Sequence, residues 1–288
     1  GYYSHLRQQK ELFFDADLGL WIASGATAVE AILGNPDCRV RPLHEPIPPS
    51  IAQGAAGLVF GRLMRMNEGA RHRCPRMAFE PALASIEMEG VADIVSRLVA
   101  TLDKSLETTD ELMFTLPVCV IASLIGLPSS RMQDVAKLTR DFVACLSPLS
   151  DETQLDKAHS GAIQLGQVFS ALLNDPESDS ALLTRIRSES KAAEWEDPEA
   201  LIANLIGLMS QTCEATAGLI GNTLVALHRN PDLIEDGQPT PMLVAELVAE
   251  VARYDSPVQN TRRFVAKRCT IGDSVLEAGD TVLVLLAS

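Results

Sequence analysis

The chain has 288 residues, of which 47% are hydrophobic and 22% charged, enough apolar material to bury a sizeable core. Its formal net charge of -14 excludes the basic faces that nucleic acid and anionic membrane surfaces select, leaving small molecules or proteins as partners. Six cysteines with no CxxC pair and no regular spacing provide neither a zinc site nor a disulfide framework and fit a reducing cytoplasm, and no long apolar run marks a membrane span.

The start, Gly1-Tyr2-Tyr3, lacks the basic residues and apolar core of a secretion signal. Both termini read as cut: there is no initiator Met, and the strand in TVLVLLAS is expected to stop without a turn or a partner. Leu12 to Ser24 predicts two short strands around Asp17-Leu18-Gly19, then a helix over Thr27 to Leu33 that stops at Gly34-Asn35-Pro36. RPLHEPIPPS, residues 41 to 50, is a loop. Apolar residues recurring at three and four spacings predict helices near 67–84, 89–105, 109–126, 129–147 and 153–174, followed by a polar, charge-rich connector. Asp197-Pro198 is a strong start signal, and nothing breaks the pattern until Asn230-Pro231. That is a helix of about 33 residues, roughly 50 Å long, apolar on most sides and therefore expected to run through the centre of the fold. A helix near 240–254 comes next, then strands in TRRFVA and CTIGDSVLEAGDTVLVLL with hairpin turns at Gly272-Asp273 and Ala278-Gly279-Asp280. No repeat and no linker divides the chain, so 1–288 reads as one domain.

Three groups of residues go beyond packing. Midway along the long helix, QTCEAT sets Gln211, Thr212, Glu214 and Thr216 in an apolar stretch. The bland reading is a core helix whose hydroxyls bond back to the preceding turn; the chemical one is a proton path, because a carboxylate in an apolar site has its pKa raised. In AELVAEVARYDSP, Glu250 and Arg253 stand three apart on one helix face and can pair in a bidentate fashion, as many ordinary surface pairs do. Arg62, Arg65, Arg71, His72, Arg73 and Arg76 form a basic cluster in an acidic chain, either a solvated face or a cradle for an anionic group, with His72 and Arg76 one turn apart. Ser188 and Lys191 match SxxK, but in a polar stretch with nothing else to support acyl transfer.

In this order, the ExxR helix running into RYDSPVQNTRRF, the HxxxR of His72 and Arg76, and the acid in CEATAGLIGN resemble a bacterial soluble cytochrome P-450 along essentially the whole chain, from the YYSHLRQQ helix to TVLVLLAS. The resemblance implies a mainly α fold with small β-sheets that holds a haem b beneath the long helix. It also implies a monooxygenase that puts one atom of dioxygen into a small organic substrate with electrons from a ferredoxin-type donor, drawn to the basic helix around Arg71 to Arg76. By the same resemblance, His72, Arg76 and Arg263 bind the haem propionates, Glu250 and Arg253 form a structural pair, and Glu214 is the acid of the oxygen-activating pair. Two departures stand out. The family's Thr after the acid is Ala215 here; Thr216 lies about 100° around the helix from that slot, whereas Thr212, in place of the usual Gly, lies one turn earlier and within about 60° of it. The Gly-rich FxxGxxxC loop that supplies the family's axial thiolate is absent from the sequence. An incomplete, inactive piece of a monooxygenase and a non-catalytic or haem-free helical interaction protein of the same fold both remain open, and the coding sequence after Ser288 separates them. Without the loop, the 288-residue chain mixed with haem, reduced and exposed to carbon monoxide is expected to give no thiolate-type difference band; such a band would contradict the assignment.

Overall fold

The computed structural model describes residues 10–102, 108–147, 149–176, 180–234 and 240–287. The predicted YYSHLRQQ helix and the end of the 89–105 helix lie outside these residues. The chain divides into two compact units, one running from Ile47 to Ala217 and the other joining the segment up to Pro46 with the segment from Gly218 onward.

The Ile47–Ala217 unit is helical: α2 (Ala55–Arg62), α3 (Ala70–Ala84), α4 (Met88–Leu102), α5 (Thr109–Ile125), α6 (Met132–Ala144), α7 (Glu152–Asn174), α8 (Ala181–Ala192) and the first part of α9 (Pro198–Arg229). Local chemistry sets the ends of these helices. α5 starts where Thr108 accepts a hydrogen bond from Glu111 N and stops at Gly126, whose φ of 96° lets Leu127 N donate to Ala122 O in a Schellman turn. α7 opens with a full capping box between Asp151 and Gln154, and α9 with Ala200 N donating to Asp197. One apolar core unites the unit, with Phe79, Phe142, Phe169, Leu165, Leu205 and Ile206 among its fully buried side chains.

The other unit is built on a five-stranded sheet in the order β1 (Leu12–Asp15), β2 (Leu20–Ala23), β7 (Thr281–Leu285), β4 (Asn260–Val265), β3 (Cys38–Arg39), with β5 (Cys269–Ile271) and β6 (Ser274–Leu276) as a separate hairpin. α1 (Ala26–Gly34) supplies Ala28 and Ile32 to a core shared with Val265, Leu276, Val282 and Val284. β7 corrects the expectation of an unpartnered last strand: it lies inside the sheet, parallel to β2 and antiparallel to β4. The turn at Ala278-Gly279-Asp280 is likewise not a hairpin, because β6 and β7 belong to different sheets. α10 (Pro241–Tyr254) is capped by Thr240, and its C-terminal exit is tied to α9 by Asn222 Nδ2 donating to Asp255 O at 2.7 Å.

Two helices were not foreseen. α2, AAGLVFGR, has low intrinsic propensity and is fixed by tertiary contacts: Ala56 N donates to His159 Nδ1, and Gly57 lies so close to Ile51 O that a Cβ would stand 2.1 Å from it. α8 occupies the supposed connector, burying Leu182, Leu183 and Ile186 beneath a polar outer face that masked the period. α9 runs through the core only in its first half; beyond Cys213, Thr223 alone is buried, and Leu224 and Val225 are exposed.

Gly126 combines a left-handed φ with a site where a Cβ would stand 2.7 Å from Ser180 Cβ. Gly126→Ala is expected to destabilise the protein by about 1–3 kcal/mol or more, read as a lowered urea midpoint.

Candidate functional site

About two turns before the polar knot, α9 carries a buried amide that the sequence reading passed over. Asn204, 1% exposed, accepts from Met64 N at 2.8 Å and donates to Arg62 O at 3.1 Å and to Ala200 O at 2.8 Å. It thereby fastens the 62–64 backbone to the helix. His72 extends the same network, with Nδ1 at 2.9 Å from Met64 O. Arg65 follows directly and comes within electrostatic reach of Glu214. Solvent still touches the Arg65 side chain, yet burial of its guanidinium lowers its pKa, an effect that Glu214 partly offsets.

Glu214 itself is exposed, so the apolar burial expected from its neighbours in sequence is not what the structure shows. It forms one wall of a cavity of about 380 Å³ together with Asp110, Glu111, Phe114 and Arg140. Arg140 lies over the Phe114 ring at 4.5 Å from its centroid, which orients the guanidinium while leaving it its charge. Thus Glu214 stands among two guanidiniums and two further carboxylates. Arg140 was missed because nothing in the sequence links α6 to α9. A larger cavity of about 760 Å³ between α6 and α7 contains none of the residues singled out from the sequence.

Thr212 is half-buried and donates its hydroxyl to Leu208 O at 2.6 Å, so what remains available on Oγ1 is lone-pair density. Thr216 and Ala215 are also half-buried. Cys213, between Thr212 and Glu214, is fully buried, its thiol bonded to Ser210 O and pushed up to about 11 by burial and then by Glu214.

The basic cluster does not act as one patch. Arg62 pairs with Glu199, and Arg76 makes a bidentate pair with Glu80 at 2.8 and 3.2 Å on the exposed face of α3, while Arg71 and Arg73 are exposed. In the sheet unit, Glu250 and Arg253 form the expected bidentate contact, Nε to Oε2 at 2.8 Å and Nη2 to Oε1 at 2.6 Å. The pair is exposed, and its hydrogen bonds hold the Glu250 carboxyl below its usual range. Arg263 on β4 is half-buried, its Nη1 donating to Thr261 Oγ1 and Arg262 O, with burial lowering its pKa. Ser188 and Lys191 are exposed on α8 and share no closed pocket, which removes the geometry acyl transfer needs.

Two curated bacterial proteins match at 31% identity: cytochrome P450 107B1 of Saccharopolyspora erythraea, over 68% of this chain and 47% of that protein, and the vitamin D(3) 25-hydroxylase of Pseudonocardia autotrophica, over 69% and 49%. The chain belongs to the cytochrome P450 family. It spans about half the length of these two relatives. Among solved structures, that of P450BioI in complex with an acyl-carrier-protein ligand matches with a TM-score of 0.78 at 21% identity, covering 99% of this chain and 76% of that one, a likeness of fold. No protein-family profile matches. No helix among the described residues is long and apolar enough to cross a membrane.

A P450 haem asks for cations at its propionates and an axial ligand for its iron. His72, Arg76 and Arg263 are of the right type for the first. For the second, four of the described thiols are unsuited: Cys119, Cys145 and Cys213 are buried, bonded to backbone carbonyls and pushed up to about 11 by burial, and Cys38 is buried in the core of the sheet unit. By side-chain type the chain offers partners for the propionates, and the four buried thiols offer none for the iron.

Asn204→Leu leaves the Met64 N–H and the Arg62 carbonyl without their side-chain partner in a partly buried contact. Destabilisation of at least about 2 kcal/mol is expected in urea unfolding, against little change for an exposed control such as Arg73→Gln.

Proposed function

We propose that the protein carrying this chain is a cytoplasmic haem-dependent monooxygenase that places one atom of dioxygen in a small organic substrate, with electrons from a ferredoxin-type donor. The observation that carries this is the position of Glu214: a solvent-reaching carboxylate midway along the 32-residue α9, facing Arg140 across a cavity, one residue beyond a buried turn of the helix. A carboxylate so placed can exchange protons with water in that cavity and pass them to an acceptor within its reach. When bound, haem supplies the activation of dioxygen; what this chain supplies is proton delivery and support.

In that division of labour Glu214 relays protons, and Arg65 and Arg140 hold its charge in place. Thr212 offers an acceptor to a water or to the group being protonated, standing in for the hydroxyl absent at Ala215. Thr216, rotated away, serves as a secondary hydroxyl on the same turn. His72, Arg76 and Arg263 bind carboxylates of the cofactor; Arg76 has only an exposed partner to give up, a contact worth little in water. Glu250 and Arg253 brace the end of α10. Arg71 and Arg73, exposed on α3, are the cations an acidic electron donor would meet.

The experiment uses the complete gene product loaded with haem and a ferredoxin-class donor, following oxygen uptake and peroxide release. Glu214→Gln is expected to slow oxygen reduction by about 100-fold, the scale of one general acid. Thr212→Ala should divert electrons to peroxide, whereas Thr216→Ala leaves the partition nearly unchanged. Haem-independent or absent oxygen reduction would favour a non-catalytic protein of the same fold, and an unchanged partition in Thr212→Ala would remove the relocated hydroxyl.

A further inference from the structure

Cys38 and Cys269 come from opposite ends of the sequence and meet in the sheet unit. Cys38 follows α1 and forms β3, where it stands opposite Val265 of β4, and Ala266 N donates to Asp37 O at 2.7 Å. This double attachment lays residues 37–39 along the stretch that leads into β5, whose first residue is Cys269. Cys38 is 5% exposed and belongs to the core cluster with Val265, Ile271 and Leu276, and Cys269 packs against that cluster while still reached by solvent. The two thiols belong to one packed cluster, close enough that Cys269 acts on the Cys38 thiol electrostatically, and neither is in a disulfide. Free cysteines in a core commonly serve as small hydrophobes. A buried thiol beside a solvent-reachable one is a different arrangement, because an oxidant can reach the outer sulfur and the inner one is near enough to resolve it.

We propose that Cys38 and Cys269 are an oxidisable dithiol, which a peroxide closes to a disulfide. In the first step the Cys269 sulfur, its proton released to solvent, attacks hydrogen peroxide. An S–O bond forms, the O–O bond breaks, and the departing hydroxide takes up a proton to leave as water. In the second step the Cys38 sulfur attacks the sulfur of the Cys269 sulfenic acid. The S–S bond forms, the S–O bond breaks, and a second water leaves with the Cys38 proton. Two thiols lose two electrons and two protons, and the peroxide gains them as two waters.

The electrostatics support this order. Burial, followed by Cys269 and Asp37, pushes the Cys38 thiol up to about 12, with Arg263 opposing. The bond would join the segment before Pro46 to the segment after Gly218, the two stretches that build the five-stranded sheet, and it would form beside Arg263.

The test treats the reduced 288-residue chain with hydrogen peroxide, blocks remaining thiols with N-ethylmaleimide, and maps peptides without reduction. The expected product is a Cys38–Cys269 cross-linked peptide, two hydrogen atoms lighter than its parts, with two of the six thiols lost and both recovered by dithiothreitol. Cys38→Ala should convert Cys269 into a sulfenic acid trapped by dimedone, and Cys269→Ala should leave Cys38 alkylatable only after unfolding. The proposal is overturned if wild-type protein accumulates dimedone-trapped Cys269 without the cross-link, or if Cys74 oxidises while the pair stays reduced. Circular dichroism of each variant identifies loss of fold, and the wild-type peptide map decides the matter without them.

Discussion

The site geometry hangs on one buried amide. Asn204 sits in an apolar turn of α9, where a polar side chain is costly unless every group on it is paired, and here both ends of the amide are used. Its partners are not other side chains but the backbone at Arg62 and Met64, so the cost of its burial is offset by fixing a chain segment rather than a rotamer. From that anchor follow the two contacts that matter nearby: His72 against Met64 O, and Arg65 within the field of Glu214. An apolar residue of similar size would pack equally well and fix neither.

The charged groups contribute in the opposite manner. Glu250–Arg253 and Arg76–Glu80 have ideal bidentate geometry, yet both pairs are bathed in water, where such contacts are screened and add little to stability. Their value is therefore positional and exchangeable. A carboxylate that arrives with its own apolar body can displace Glu80 from Arg76 at small cost, whereas Arg263, already partly stripped of water, favours an anionic partner more strongly. The same reasoning separates Glu214 from a core carboxylate: it is exposed and lines a cavity, so its charge carries no burial cost.

Much of the architecture was legible because it is local. Asp197-Pro198, Asn230-Pro231 and Leu127-Pro128 punctuate helices through backbone chemistry that needs no tertiary context, and α9 and α10 fall within a residue of their predicted bounds. What escaped was non-local. α2 forms only because His159 and Ile51 receive it, the sheet order depends on β7 entering between β2 and β4, and the central burial of α9 fades past Cys213, which its uniform apolar pattern could not reveal. Of the site, Glu250, Arg253, His72 and Arg76 were visible as spacings on single helices. Arg140 and Asn204 were not, since each matters through a partner far away in sequence. α8 is the exception: Leu182, Leu183 and Ile186 carried a helical period that the surrounding charge concealed.

The altered knot on α9 is a consequence of helix geometry as much as of composition. Pro198 to Arg229 is helical throughout, so the direction of each hydroxyl is set by its position in the turn. Thr212 spends its proton on Leu208 O, and Thr223 does the same with Leu219 O about three turns further on. A back-bonded threonine is a fixed acceptor and a poor donor. A hydroxyl at Thr212 therefore differs in chemical character from a free one at the Ala215 position: it can orient a water through a lone pair, and its own proton is already committed to Leu208 O.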